Sequence, residues 1–165
     1  MNPAIDEESL HPSSLDRLDR RILAALQANG RISNQELAAQ VHLSPAQANR
    51  RHKRLEAMGY IRGYEARLDA DRLGLGVTAF VHVTMERGQH KEVQKFQRTV
   101  GKMAQVLECH AVTGDFDYVC KVVARDLKGL SDFLLGTLAQ QPGVNGVRSS
   151  VCLNELKSTS ALPLD

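Results

Sequence analysis

Four cations crowd five consecutive positions, as Arg50, Arg51, Lys53 and Arg54. Such a run is either a solvated helix face or the electrostatic footprint of a polyanion. The residues just before it bear on the choice. Ser44-Pro45-Ala46-Gln47 offers an N-cap serine, a proline at the first helical position and a glutamine at the third. The cations therefore sit on a helix that runs to Met58 and stops at Gly59. On a 100° wheel, Ala48, His52 and Leu55 share one side, flanked by Arg51 and Met58. The opposite side carries Ala46, Gln47, Asn49, Arg50, Lys53 and Arg54. Glutamine and asparagine make bidentate contacts to adenine, and arginine to guanine. Lys53 and Arg54 lie further along, better placed for phosphate. The expected DNA-binding set is Ser44, Pro45, Ala46, Gln47, Asn49, Arg50, Lys53 and Arg54. Arg51 leans inward and is expected in a structural ion pair. His52 is expected to be a satisfied histidine at the edge of the core.

A second stretch could bind a small zwitterion. In Thr113-Gly114-Asp115-Phe116-Asp117-Tyr118, successive backbone N–H groups of a turn can hold a carboxylate. Asp115 or Asp117 can hold an ammonium. The same residues also suit a β-turn between two strands, with the Asp side chains bonding their own backbone. Both readings stand on the residues alone. Cys109, Cys120 and Cys152 are odd in number and lack C-x-x-C spacing, and all lie in apolar stretches. They read as buried free thiols of a reducing compartment. Cys109 and His110 are neighbours on a strand, point to opposite faces and do not readily share a metal.

The elements that must position these groups follow from hydrophobic spacing. Residues 15–28 form a helix with Leu15, Leu18, Ile22, Leu23 and Leu26 inward, ended by Gly30. Ser33-Asn34-Gln35-Glu36 has capping-box spacing and opens a short helix over 34–41. His42-Leu43 joins it to the cationic helix, which is the helix-turn-helix arrangement. The alternation of residues 60–68 around Gly63 predicts a small strand pair, a wing. Residues 69–76 are a turn-rich connection. A strand follows over 77–85, with Val77, Ala79, Val81 and Val83 on one face and Thr78, Phe80, His82 and Thr84 on the other. A helix over 89–101, strands over 104–113 and 117–124, a helix over 127–140 and a strand over 144–155 complete a β-α-β-β-α-β order. The stripe of the second helix is Leu127, Leu130, Phe133, Leu134 and Leu138. The predicted fold class is α+β. A winged helix-turn-helix precedes a ferredoxin-like βαββαβ domain, an antiparallel four-stranded sheet with two helices on one face.

Composition narrows the classes further. The chain has 165 residues, 42% hydrophobic and 24% charged, enough for one medium domain or two small ones and too apolar to be disordered throughout. No apolar run approaches the roughly 20 residues of a membrane helix. The acidic start, MNPAIDEESLHPSS, has no signal-peptide core. The net charge of +2 is uneven. Residues 15–68 hold ten basic against five acidic residues, a net +5, while residues 69–165 balance. The surplus thus lies around the cationic helix. The sheet strands are partly apolar on both faces, yet two helices cover one, so a second copy of the chain is the expected cover for the other.

Several segments, in order, resemble the Lrp/AsnC (leucine-responsive, feast/famine) family of transcription regulators. They are Leu15-Asp16 through Ile22-Leu23, Asn29-Gly30-Arg31-Ile32-Ser33, Leu43-Ser44-Pro45 and Arg54-Leu55-Glu56-x-x-Gly59-Tyr60-Ile61-Arg62-Gly63-Tyr64. Glu108-Cys109-His110, Val112-Thr113-Gly114-Asp115-Phe116-Asp117-Tyr118 and Pro142-Gly143-Val144 continue the series. The resemblance implies a cytoplasmic, non-enzymatic regulator of double-stranded DNA. It implies no cofactor, an L-amino-acid effector and a homodimer that assembles into tetramers or octamers. The stretch Gly114 to Tyr118 matches the family's effector loop. The expected effector-binding set is Val112, Thr113, Gly114, Asp115, Asp117, Tyr118, Val151 and Cys152. Asp117 is weighted above Asp115, because a side chain at the start of a strand is better fixed than one at a turn tip. The corresponding division is an arm over 1–14, the DNA-binding domain over 15–68, a linker over 69–76, the effector and assembly domain over 77–157 and a tail over 158–165.

Two other functions compete. Sirohaem decarboxylases share the architecture, and His82 and His110 could serve such an enzyme, but the intact cationic helix argues against it. RNA binding on the sheet would need more exposed aromatics than Phe80 and Tyr118.

Overall fold

A computed structural model describes residues 15–88 and 90–164. The expected arm over 1–14 lies outside the described residues. The chain forms two compact units. One runs to Arg67 and takes in the tail from Thr159, and the other is Leu68–Ser158.

The first unit holds α1 (Arg17–Ala28), α2 (Asn34–Val41) and α3 (Pro45–Ala57). Each helix opens on a capping box. Asp16 pairs with Asp19, Ser33 with Glu36 and Ser44 with Gln47. Because Asp16 is itself a cap, α1 starts two residues later than its apolar stripe predicts. His42 ends α2 in the left-handed region at φ 58°, which turns the chain into α3. Ile22, Leu23, Leu26, Leu37, Val41 and Leu55 make one buried cluster, edged by Leu15, Ile32, Leu43 and Tyr60. The predicted strand pair over 60–68 is not formed. Those residues form no strand and carry no sheet pairing, since alternation across Gly63 supplies no turn that would fold the segment on itself. The tail joins this unit directly. The Gln27 amide accepts from the Leu162 N–H at 2.6 Å and donates to its carbonyl at 3.1 Å, and Leu164 packs on the helical core.

The second unit is a four-stranded antiparallel sheet in the order β2-β3-β1-β4. Its strands are β1 (Val77–Met85), β2 (Val106–Ala111), β3 (Tyr118–Ala124) and β4 (Val144–Val151). The helices α4 (His90–Val100) and α5 (Leu127–Phe133) complete it. The core lies on one face. Ala79, Val81 and Val83 from β1 and Cys120 and Val122 from β3 pack with Phe96, Val100, Leu130, Phe133 and Leu138. The parity expected for β1 is the parity observed. The predicted helix over 127–140 is instead α5 followed by a π-helical turn over Leu134–Leu138. Of the expected stripe, Leu130 and Phe133 are buried and Leu134 is half-buried. Leu138 stays buried while Leu127 is 63% exposed. The predicted strands over 104–113 and 144–155 are shorter at both ends or at the far end, because the ladder partners run out. On the open face Phe80 is 44% exposed. Its neighbours by register are Lys121 and Ser150, and Arg148 lies opposite His82. The open face is therefore mixed, not apolar throughout.

Candidate functional site

The surface of α3 divides as the wheel predicts. Ala48 and Leu55 are buried, while Ala46, Gln47, Asn49, Arg50, Lys53 and Arg54 are exposed. Four of these cationic or amide groups have different fates. Among the described residues, Arg50 and Lys53 enter no ion pair. Arg54 Nη2 meets Asp19 Oδ2 at 2.5 Å, so one end of its guanidinium is committed to α1 and not to phosphate. The Gln47 amide oxygen accepts from the Ser44 N–H at 3.2 Å and from its hydroxyl at 3.1 Å. That oxygen holds the cap, so the bidentate adenine contact expected of Gln47 is not open while the box is closed. Asn34 Nδ2 donates to the Pro45 carbonyl at 3.0 Å and ties α2 to the first turn of α3.

Beneath α3 lies a charged anchor. Asp19 is 2% exposed. Its carboxylate takes Arg51 Nη1 at 2.8 Å as well as Arg54, and Arg51 also reaches Asp16 at 2.6 Å. Arg51 is thus the structural ion pair that its inward lean predicts. The two carboxylates, Asp16 first, raise its pKa further above its ordinary value. Asp19 was legible only as part of an Asp-x-x-Asp spacing in the first helix. His52 Nε2 lies 2.5 Å from the Tyr64 hydroxyl, which donates to Glu56 at 3.1 Å. The histidine is satisfied by the segment that follows α3.

Losing a cap is a modest, local event. Ser44→Ala is expected to cost about 1 kcal/mol of α3 stability. Faster hydrogen exchange at the α3 amides, with the sheet unit unchanged, is the measurement.

The second site is the turn between β2 and β3. Gly114 adopts φ 112°, a left-handed conformation open to glycine at no steric cost. Thr113, Gly114 and Asp115 are exposed, and Val112 follows β2 directly. Asp117 is fixed, as its place at the start of a strand predicts, and the cause is structural. Its Oδ2 accepts from the Met85 N–H at 2.6 Å. Its own N–H and carbonyl bond Val83 and Val112, each at 3.0 Å. Tyr118 is buried against Phe96, with ring centroids 5.1 Å apart, and its hydroxyl accepts from Gln97 at 2.8 Å. It supports the turn from the core and does not line its surface. Val151 and Cys152 are not brought to the turn. Val151 pairs with Ala79, six positions along β1 from Met85, or about 20 Å at 3.3 Å per residue. The β4 end nearer the turn is Val144, opposite Met85, whose N–H bonds Asp117.

Three side chains near this turn carry no motif. Phe116 stacks on His82 at 4.6 Å and lies under the Arg148 guanidinium at 5.5 Å. The pairing of His82 with Arg148 across β1 and β4 is a register fact that spacing does not show. Glu92, on α4, abuts Gly143, where an added Cβ would fall 2.8 Å from its own. Its Oε2 is buried and meets no protein donor among the described residues. Cys120 is buried as expected, but Cys109 and Cys152 are only half-buried. No cluster of three or more metal-ligating side chains occurs among the described residues. No described helix is long and apolar enough to cross a membrane.

Fold and sites together define a DNA-binding transcription regulator, a helix-turn-helix unit joined to a separate ligand-binding unit. Comparison with known proteins gives the family. Residues 15–62 match the winged helix-turn-helix DNA-binding family, and residues 78–162 match the Lrp/AsnC ligand binding domain. The chain is 40% identical over 158 residues to the leucine-responsive regulatory proteins of Escherichia coli and Salmonella typhimurium, covering 96% of each partner and of itself. A transcriptional regulator of Neisseria meningitidis, solved with L-methionine, superposes with a TM-score of 0.89 at 39% identity, over 92% of this chain and 98% of that one. An AsnC-family regulator of Agrobacterium tumefaciens gives 0.85 at 31% identity, over 90% and 97%. The chain belongs to the Lrp/AsnC family of transcription regulators, and these relatives are regulators, not enzymes.

Proposed function

We propose that this chain is a sequence-specific regulator whose assembly and DNA affinity respond to an L-amino acid held at the Gly114–Asp117 turn. The observation that carries the reading is the turn itself. Exposed backbone at Thr113 to Asp115 sits beside a carboxylate at Asp115 and a second, firmly held one at Asp117. Backbone N–H groups take the ligand carboxylate and an Asp oxygen its ammonium. The L-methionine bound to the Neisseria relative supports this ligand class. Val112 supplies apolar surface beside the turn. Val151 and Cys152 contribute to the pocket only from another copy of the chain.

The open sheet face, with Phe80 and Val119, is the dimer contact in this reading, and dimers associate further into tetramers or octamers. Two copies of α3 then meet one duplex, so operators are imperfect palindromes with half-sites about one helical turn or multiples apart. The amino acid favours whichever assembly has the better pocket, and DNA affinity follows by linkage. The chain acts where the DNA is, in the cytoplasm.

A thermal-shift screen of the full chain against the twenty amino acids, beginning with L-methionine, tests this. At least one should raise the melting temperature in a concentration-dependent way, and none doing so would refute the reading. Asp117→Asn keeps an acceptor for the Met85 N–H and removes the charge. It is expected to weaken the amino acid by at least tenfold, about 1.4 kcal/mol, with the fold retained. Calorimetry with the screened ligand reads the change. Undiminished affinity would move the ammonium contact elsewhere.

A further inference from the structure

Two thiols face each other across the hairpin that carries the turn. Cys109 of β2 and Cys120 of β3 are direct ladder partners, and the Cys120 thiol donates to Cys109 Sγ at 3.4 Å. Both side chains lie on the helix-covered face, Cys120 fully buried and Cys109 half-buried. The Val112 N–H bonds the Asp117 carbonyl. Counting back by twos along an antiparallel ladder makes 109–120 a pair without mutual backbone hydrogen bonds, the kind in which opposite Cα atoms stand about 4.5 Å apart. That spacing falls within the usual Cα range of a disulfide, roughly 4.4–6.8 Å. The backbone therefore need not move far for the sulfurs to bond.

We propose that Cys109 and Cys120 are a redox-modification site, closing reversibly to a disulfide on exposure to a hydroperoxide. Exposure assigns the order of events. Cys109, the less buried of the two, attacks a peroxide oxygen. The O–O bond breaks, the alcohol or water leaves, and Cys109 becomes a sulfenic acid. Cys120 sulfur then attacks Cys109 sulfur. The S–O bond breaks, and the hydroxyl departs as water with the Cys120 proton. Two thiols lose two electrons in all, and the peroxide gains them. Burial, and then the neighbouring Cys109, push the Cys120 thiol up to about 12, which argues against Cys120 as the sulfur that meets peroxide first. Cys152, half-buried beyond the end of β4, has no thiol partner among the described residues. The bond would pin edge strand β2 to β3 at the base of a hairpin with ten intervening residues, 110–119. In a reducing compartment such a bond is a transient, sensing one. This inference does not depend on the turn's ligand.

Trypsin makes the test direct, because Met103–Lys121 holds both cysteines with no Lys or Arg between them. Reduced full-length protein is treated with stoichiometric hydrogen peroxide, alkylated and digested without reductant. The expected result is that peptide two hydrogens lighter and unalkylated. After further cleavage at Glu108 and Asp115, the two cysteine fragments remain linked. A dithiol reductant should restore both thiols. Cys152→Ser should leave the bond intact, and Cys120→Ala should leave a sulfenic acid on Cys109 that dimedone traps. Alkylation of both thiols after peroxide treatment overturns the proposal. So does Cys109 advancing to sulfinic acid in the wild type, or a bond that joins two chains.

Discussion

Replacing Asp19 by asparagine is expected to destabilise the helix-turn-helix unit by about 3 kcal/mol. Asp19 is the shared acceptor of Arg51 and Arg54 and reciprocates the Asp16 cap of α1. Asparagine keeps the shape but leaves two guanidiniums without their buried charge. Breaking a buried pair by removing one partner costs about 3–5 kcal/mol. The lower end applies here, because Arg54 is 51% exposed and can turn to water. Chemical denaturation of the full chain, followed by probes in α1 and α3, should show the helical unit unfolding earlier with the sheet unit unmoved. Acid acts in the same direction, more weakly. The Asp19 backbone N–H first, and the Arg51 guanidinium after it, hold the Asp16 carboxyl below its ordinary value. A depressed carboxyl contributes stability that is present above its unfolded pKa and lost as pH falls through its folded one. The cap should therefore hold at neutral pH and loosen only below about pH 4. Its share is small, since Asp16 is half exposed.

Arg50→Ala is expected to weaken binding to a cognate duplex by about 1–3 kcal/mol, with much less effect on random DNA. Arg50 is exposed on the outer side of α3 and has no ion-pair partner among the described residues, so its guanidinium is available to a base edge. Lys53→Ala should weaken cognate and random DNA alike and lower the salt slope by about one unit. The contrast between the two variants matters more than either alone. Arg51→Ala serves as the control. It should unfold the unit rather than relax specificity, because its guanidinium is spent on Asp16 and Asp19.

The helical unit was legible because each helix announces itself locally. Ser33 with Glu36 and Ser44 with Gln47 mark two starts to the residue, and the apolar stripes mark the buried sides. The strand pair over 60–68 does not form, because alternation around Gly63 is a local pattern, while a strand needs a partner that the pattern cannot supply. The same limit explains Arg54. A wheel shows which way a side chain leaves its helix, but not that Asp19 on another helix waits for it. In the sheet unit, the alternation of Val77 to Met85 fixed both faces, since a two-residue period leaves only one register. The turn's chemistry was readable from Gly114 to Asp117. Its surroundings were not. Val151 and Cys152 looked like neighbours of the turn only until β4 took its register with β1, which carries them to the far end. Phe116, His82 and Arg148 meet by the same register and by nothing in their spacing.

The central claim is that the outer face of α3 reads DNA sequence. The most direct measurement is a binding titration of the full chain across a salt series. It compares a duplex selected from a random pool by the protein itself with an unselected duplex of equal length. The expected result is a selected duplex bound at least 10³-fold more tightly, a gap that Arg50→Ala narrows and Lys53→Ala leaves nearly unchanged while lowering both affinities. Equal affinity for the two duplexes, or a gap untouched by Arg50→Ala, would contradict it.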